Sequence, residues 1–307
     1  MTSGKPILVT GSHRSGTTWV GIMIAEAPSV FYIFEPFNIS YPRPGICNAE
    51  FKYWFTYITR ENESDFYRPI KNTIELKYDL VGALKSIKSV RDLRNVQKEY
   101  MSFLKHRLKG SRPIVKDPMA FFSSEWLAER FNMDVVVLIR HPAAFISSIK
   151  KLNWPHPFSH FLEQPLLMKE HLYPFEVEIR DYANRELDII DQGILLWKLI
   201  HHTIIKYQSL HKDWLFARHE DLSQDPVQSF QTIFNKLNLE FSDRVKCAVH
   251  DHSHSSHSIE SEDPYCTKRN SQSIIWNWKG RLTIQEIERI RDKVEDISRV
   301  FYSNEDW

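Results

Sequence analysis

Two glycines, Gly11 and Gly16, bracket four residues in the run Gly11-Ser12-His13-Arg14-Ser15-Gly16-Thr17-Thr18. A short apolar run precedes it and apolar residues at helical spacing follow, so the run reads as a turn from strand to helix. Such a turn gathers backbone N–H groups at the positive end of a helix, where they bind an anion. Arg14 adds a guanidinium inside the loop, and Ser15, Gly16, Thr17, Thr18 and Trp19 complete the candidate binding set. The plainer reading, a glycine-containing βα turn, leaves Arg14 and the paired threonines without a role.

A second cation closes the most apolar stretch of the chain, where Val135-Val136-Val137-Leu138-Ile139 ends in Arg140. A magnesium-dependent triphosphatase places Lys directly after the second glycine and a metal-holding Asp near the end of an apolar strand. Here Thr17 stands in the first position and Arg140 in the second. A guanidinium at that point repels a divalent ion and binds a phosphate bidentately. The two basic positions therefore predict a ligand with two separate anionic ends, held without a metal. Glu35 closes the run Val30 to Phe34, and Lys116 closes Pro113 to Lys116. Active sites of parallel sheets form at such strand ends. The competing readings are a loop-capping Glu35 and a Lys116 whose stem lies on the surface with its ammonium in water. Asp117 either orients Lys116 or caps the next turn.

In their order along the chain, these segments resemble the PAPS-dependent sulfotransferases, whose donor is 3′-phosphoadenosine-5′-phosphosulfate. Gly11 to Trp19 resembles the family's 5′-phosphosulfate loop in its arginine-containing form. Arg140-His141-Pro142, with Ser148 eight residues after the arginine, resembles the 3′-phosphate motif. Val30-Phe31-Tyr32-Ile33-Phe34-Glu35-Pro36 is similar to a segment of the carbohydrate sulfotransferases, and Lys116-Asp117-Pro118-Met119-Ala120-Phe121 to one of heparan-type members. Arg218-His219-Glu220-Asp221-Leu222, with Asp225-Pro226 behind it, resembles a late-strand signature of bacterial members.

The resemblance implies sulfuryl transfer from PAPS to an acceptor hydroxyl, with a glycan favoured by the Phe-Glu-Pro segment. It implies Glu35 as general base, Arg14 on the leaving oxygen and Lys116 facing the sulfuryl group and acceptor. Arg140 and Ser148, and Arg269 in a late basic loop, would hold the 3′-phosphate. Arg218, Glu220 and Asp221 would support the fold. The rival activities are a small-molecule kinase using magnesium-ATP and a non-catalytic nucleotide-binding protein on the same scaffold. Tyr53, Trp54, Phe55, Tyr57 and Trp154 can stack on sugar rings or fill a core. His250, His252, His254 and His257 lie in a polar stretch without the fixed scaffold and second shell of a metal site, so no metal is expected.

The elements that must carry these residues follow from hydrophobic periodicity. Strands are predicted at Pro6 to Thr10, Val30 to Phe34, Pro113 to Lys116, Asp134 to Arg140 and Trp214 to Ala217. Between them, helical patterns cover Thr17 to Ala27, Leu93 to Leu108, Ser124 to Phe131, Ala143 to Leu152, Asn184 to Tyr207, Val227 to Leu237 and Thr283 to Phe301. Loops are expected over Asn153 to Pro165 and residues 250–273. The alternation predicts an α/β fold, a central parallel sheet with helices on both faces, as a single domain over residues 1–307. Forty Lys+Arg against 39 Asp+Glu leave a net charge of +1, which gives no electrostatic reason to expect a nucleic acid partner. Three cysteines are too few and scattered for a disulfide framework. The absence of a signal-peptide core or a spanning apolar run predicts a cytoplasmic enzyme.

Overall fold

A computed structural model describes residues 4–253 and 275–307. Arg269, His254, His257 and most of the loop expected over 250–273 lie outside the described residues. Among those described, the strands are β1 (Ile7–Gly11), β2 (Val30–Phe34), β3 (Arg112–Lys116), β4 (Asp134–Ile139) and β5 (Leu215–Arg218). They form a parallel sheet in the order β2-β3-β1-β4-β5. The helices, in chain order, are α1 (Thr17–Ala25), α2 (Tyr67–Ile74), α3 (Leu80–Lys85), α4 (Val90–Leu108), α5 (Ser124–Phe131), α6 (Pro142–Leu152) and the short α7 (Ser159–Leu162) and α8 (Pro165–Leu167). Then follow α9 (Glu176–Asn184), α10 (Ile189–Leu210), α11 (His219–Gln224), α12 (Pro226–Lys236), α13 (Asp243–Ser253) and α14 (Ile284–Ser298). The expected α/β class is the observed one.

Local chemistry accounts for the boundaries that periodicity missed. The helix expected from Asn184 starts at Ile189 instead, because the Asp188 side chain accepts from the Ile190 amide and caps it. Ser89 caps α4 in the same way, four residues before its first periodic leucine. The segment expected as loop over Asn153 to Pro165 holds the turn α7, and His250 and His252 belong to α13 rather than to a loop.

The chain gathers into two compact units. In the first (Met1–Thr10 with Ile24–Val135), Lys116 of β3 pairs in register with Val9 on one side and Phe34 on the other. The Asp134 amide donates to the Pro6 carbonyl at 2.8 Å, which starts β4 beside β1. Ile7, Leu8, Ile114, Phe121 and Phe122 are fully buried here, each such side chain contributing about 1.5–3 kcal/mol.

In the second unit (Gly11–Met23 with Val136–Trp307), Val136, Val137 and Leu138 of β4 are fully enclosed and pair with β5 from Val136↔Leu215 to Ile139↔Arg218. Burial on both faces is what a continuous β-branched run anticipates. Helices α6 and α10 pack together and α14 closes on both. Thr283 and Glu286 form a capping box at the start of α14, and Glu286 also receives Lys150 at 2.7 Å.

Candidate active site

Two constellations, one in each unit, contain the predicted site residues that the structure describes. In the second unit the anion loop is shaped by close backbone approach. Gly11 lies at φ 130°, and a Cβ there would overlap the Leu138 carbonyl oxygen. Gly16 lies at φ 89°, where a Cβ would overlap the His219 ring. Between them Arg14 takes φ 63°, a left-handed conformation that costs on the order of 1–3 kcal/mol in a side-chain-bearing residue. The Ser15 amide donates to the Ser12 carbonyl at 3.2 Å, and the Val20 amide to the Gly16 carbonyl at 3.1 Å, so the loop turns directly into α1. Ser12 is fully buried and its Oγ has no hydrogen-bond partner among the described residues. A polar atom so placed in the loop that leads into a helix is a ready donor to an anion.

The two expected basic positions come together with the expected serine. Arg14 Nε donates to Ser148 Oγ at 3.0 Å, and Arg140 Nη1 donates to the Arg14 carbonyl at 2.6 Å. Trp154, predicted as a stacking residue, lies 5.7 Å from the Arg14 guanidinium. Trp197 Nε1 donates to the Arg140 carbonyl at 2.9 Å and fixes the end of β4. Thr17 and Thr18 open α1, with Thr17 buried. Trp19 turns away into apolar packing, edge-on to His219 and Phe230.

Supports surround Arg140: Glu220, expected to support the fold, and Tyr302 and Trp278, which were not foreseen. The His141 amide donates to Glu220 Oε1 at 3.1 Å, and Tyr302 donates its hydroxyl to Glu220 Oε2 at 2.9 Å. The His141 ring stacks on Trp278 at 5.1 Å, and burial lowers its pKa to about 3, so it is neutral. Burial likewise raises the Glu220 pKa, against the nearby Arg140 and the hydrogen bonds that favour its charge. Arg218 reaches Asp221 and the Phe301 carbonyl, a structural role.

In the first unit, Glu35 follows β2 at φ 42°. Lys116 Nζ donates to Glu35 Oε1, and Asn38 Nδ2 donates to Glu35 Oε2 at 2.7 Å. Lys116 is fully buried, with its ammonium 3.9 Å from the centre of the Phe34 ring. It is therefore not the surface lysine that one reading allowed. Asp117 accepts from the Phe37 amide at 2.6 Å and the Met119 amide at 2.9 Å, so it caps the turn after β3. Burial first, and then the Glu35 charge, push its pKa up to about 7. The Tyr32 hydroxyl is buried with no hydrogen-bond partner among the described residues, and burial with the charges of Glu35 and Asp117 raises its pKa. Asn38 and Tyr32 were missed. The available signal was their i+3 and i−3 spacing about Glu35. Phe55 and Tyr57, proposed for sugar stacking, are buried, and Phe55 meets Phe122 edge-on.

Among the described residues no cluster of three or more His, Cys, Asp or Glu is placed to hold a metal ion, and no helix is long and apolar enough to cross a membrane.

A model of the sulfotransferase family matches residues 6–243. No curated protein matches the sequence. Among solved structures, the sulfotransferase domain from the curacin biosynthetic pathway aligns with 14% identity and a TM-score of 0.50, covering 96% of this chain and 99% of that one. The sulfotransferase domain from the Synechococcus PCC 7002 olefin synthase aligns with 14% identity and a TM-score of 0.48, covering 96% of each. Mouse sulfotransferase SULT7A1, complexed with PAP, aligns with 10% identity and a TM-score of 0.49, covering 98% of this chain and 86% of that one.

Proposed function

The chain belongs to the sulfotransferase family, and we propose that it transfers a sulfuryl group from PAPS to an acceptor hydroxyl, with a carbohydrate as the acceptor class. The observation that carries this reading is the cluster of Arg14, Ser148 and Arg140 at a helix-initiating glycine loop. Two guanidinium groups and a hydroxyl suit a nucleotide with phosphates at two positions, and Arg140 occupies the place where a triphosphatase would carry a metal-binding carboxylate. The reading takes residues 1–307 as one catalytic domain.

In this reaction the acceptor oxygen forms a bond to sulfur as the bond from sulfur to the bridging phosphate oxygen breaks. Adenosine 3′,5′-bisphosphate leaves, and the hydroxyl proton passes to Glu35. Negative charge grows on the bridging oxygen, which Arg14 and the amides of Ser15 to Thr18 stabilise as fixed donors. Arg140 and Ser148 bind the 3′-phosphate, with Arg269 as a further ligand. Lys116 and Asn38 each occupy one side of a Glu35 oxygen, and each oxygen retains a lone pair for the acceptor proton. Lys116 also carries positive charge toward the transferring group. The Glu-Pro segment after β2 supports a sugar hydroxyl as the group sulfated.

A thermal-shift panel tests the donor. Stabilisation by adenosine 3′,5′-bisphosphate but not by magnesium-ATP supports the assignment, and the reverse identifies a kinase. Turnover of radiolabelled PAPS against a glycan panel tests the acceptor, and saturable nucleotide binding without turnover on any hydroxyl leaves a binding protein.

A further inference from the structure

Helix α4 carries two rows of side chains that the transfer chemistry does not use. Val90, Leu93, Met101 and Leu108 are 70%, 48%, 55% and 79% exposed. Their spacing lines them along one side of a helix with about 3.6 residues per turn. Arg91, Arg94, Lys98, Lys105 and Lys109 form a second exposed row beside the first. The side turned into the protein is carried by Val96 and Phe103. The two acids of the helix are engaged elsewhere: Glu99 accepts from Arg43 and Tyr78, and Asp92 accepts from the Lys88 amide at the helix start. Residues 77–109 hold nine Lys+Arg against three Asp+Glu, so this segment carries +6 in a chain whose total is +1. Exposed Val81 and Leu84 lie on α3, which packs against α4.

We propose that this face docks on an anionic lipid surface. The aliphatic row enters the boundary between headgroups and acyl chains, and the cations beside it pair with lipid phosphates and carboxylates. The charge distribution selects this occupant. A second copy of the chain would bring like charge against like charge. A nucleic acid would use the cations but has no place for a row of aliphatic side chains, since bases stack on aromatic ones. Attachment of this kind is interfacial and needs no spanning helix. The inference is independent of the sulfuryl-transfer reading.

Sedimentation of the full chain with vesicles tests it. Binding is expected to vesicles containing about 30% anionic lipid, to be absent with neutral phosphatidylcholine alone, and to fall steeply in about 0.5 M salt. Arg94→Glu with Lys98→Glu lowers the partition coefficient on the order of 30-fold or more. Leu93→Ser with Met101→Ser lowers it on the order of tenfold. All four positions are exposed, so circular dichroism stays that of the parent. Equal binding to neutral vesicles overturns the proposal, as does binding to poly(U) RNA or an acidic peptide without vesicle binding. Parent-like partition of the serine variant overturns insertion of the aliphatic row.

Discussion

Arg14 and Ser148 lie 134 positions apart, and the Arg14 Nε–Ser148 Oγ hydrogen bond of 3.0 Å ties the anion loop to α6. The motif reading assigned these residues to opposite ends of one nucleotide. Their contact means that the loop cation has two sets of partners to choose from, the α6 hydroxyl and the phosphosulfate. Arg140 braces the same loop from β4 through the Arg14 carbonyl.

Arg140→Ala therefore tests the donor assignment most directly. A charge-assisted hydrogen bond contributes about 1.5–3 kcal/mol, so affinity for adenosine 3′,5′-bisphosphate is expected to fall by on the order of 10- to 100-fold in calorimetry. Affinity for adenosine 5′-monophosphate, which lacks the 3′ group, should change little. An alanine variant that keeps the parent's preference for the 3′-phosphorylated nucleotide removes Arg140 from the site.

Glu35 cannot be tested by one substitution, because Lys116 is fully enclosed against it. Glu35→Gln leaves that ammonium without its counter-charge, at a cost on the order of 3–5 kcal/mol. Lost activity would then have two explanations. Combining Glu35→Gln with Lys116→Met removes both charges, and the double variant should recover most of the lost stability in urea titrations. Transfer should remain depressed by on the order of 10²–10⁴ or more, since the general base is lost together with the Lys116 charge assigned to the transferring group. Recovery of activity along with stability would falsify a catalytic Glu35.

The sequence made the sheet legible because each strand is a short β-branched or aromatic run, as in Val135 to Ile139, and because glycines punctuate the anion loop. The placement of Glu35, Lys116 and Arg140 at or next to strand ends was legible because apolar runs mark those ends, and that of Arg14 because glycines bracket its loop. The supports were not. Asn38 reaches Glu35 in a turn where Glu35 adopts a positive φ, and its three-residue spacing from Glu35 was the one trace of that contact in the sequence. Tyr302 meets Glu220 across 82 positions, and Trp278 meets His141 across 137, so tertiary packing alone pairs them. The capped start of α10 was missed because apolar periodicity does not register a break that a single Asp188 side chain makes.

Acid sensitivity follows from the enclosed imidazoles. His13, His141, His171 and His201 are lowered to about 3, burial being the first cause in each. An unfolded chain titrates these groups near 6.5, so between about 6.5 and 3 it binds more protons than the folded chain. Their contribution is complete above about pH 6.5 and is lost as pH falls toward 3. Asp117 has the opposite sign. Its pKa, raised to about 7, keeps a proton in the folded chain that the unfolded chain releases near 4, so its contribution declines as pH rises between those values. The four imidazoles outweigh the two raised carboxyls, Asp117 and Glu220, and Tm should fall on acidification below about pH 6. Asp117→Asn removes the opposing slope, so its Tm relative to the parent should rise from pH 4 to pH 7. A difference that stays flat across that range contradicts the raised Asp117.

Tyr302→Phe separates a positioning role from general stability. Phenylalanine keeps the ring contacts at 4.8 Å with His141 and 4.9 Å with Arg218, and loses only the donor to Glu220. Leaving that buried oxygen unsatisfied costs about 1–3 kcal/mol. Glu220 also holds the His141 amide, one residue from Arg140, so the missing hydroxyl should loosen the end of β4. The expected signature is a lower Tm together with a smaller ratio of affinities for adenosine 3′,5′-bisphosphate over adenosine 5′-monophosphate. A lower Tm with an unchanged ratio would make Tyr302 a brace for the fold alone, since destabilisation by itself gives no reason to weaken one nucleotide more than the other.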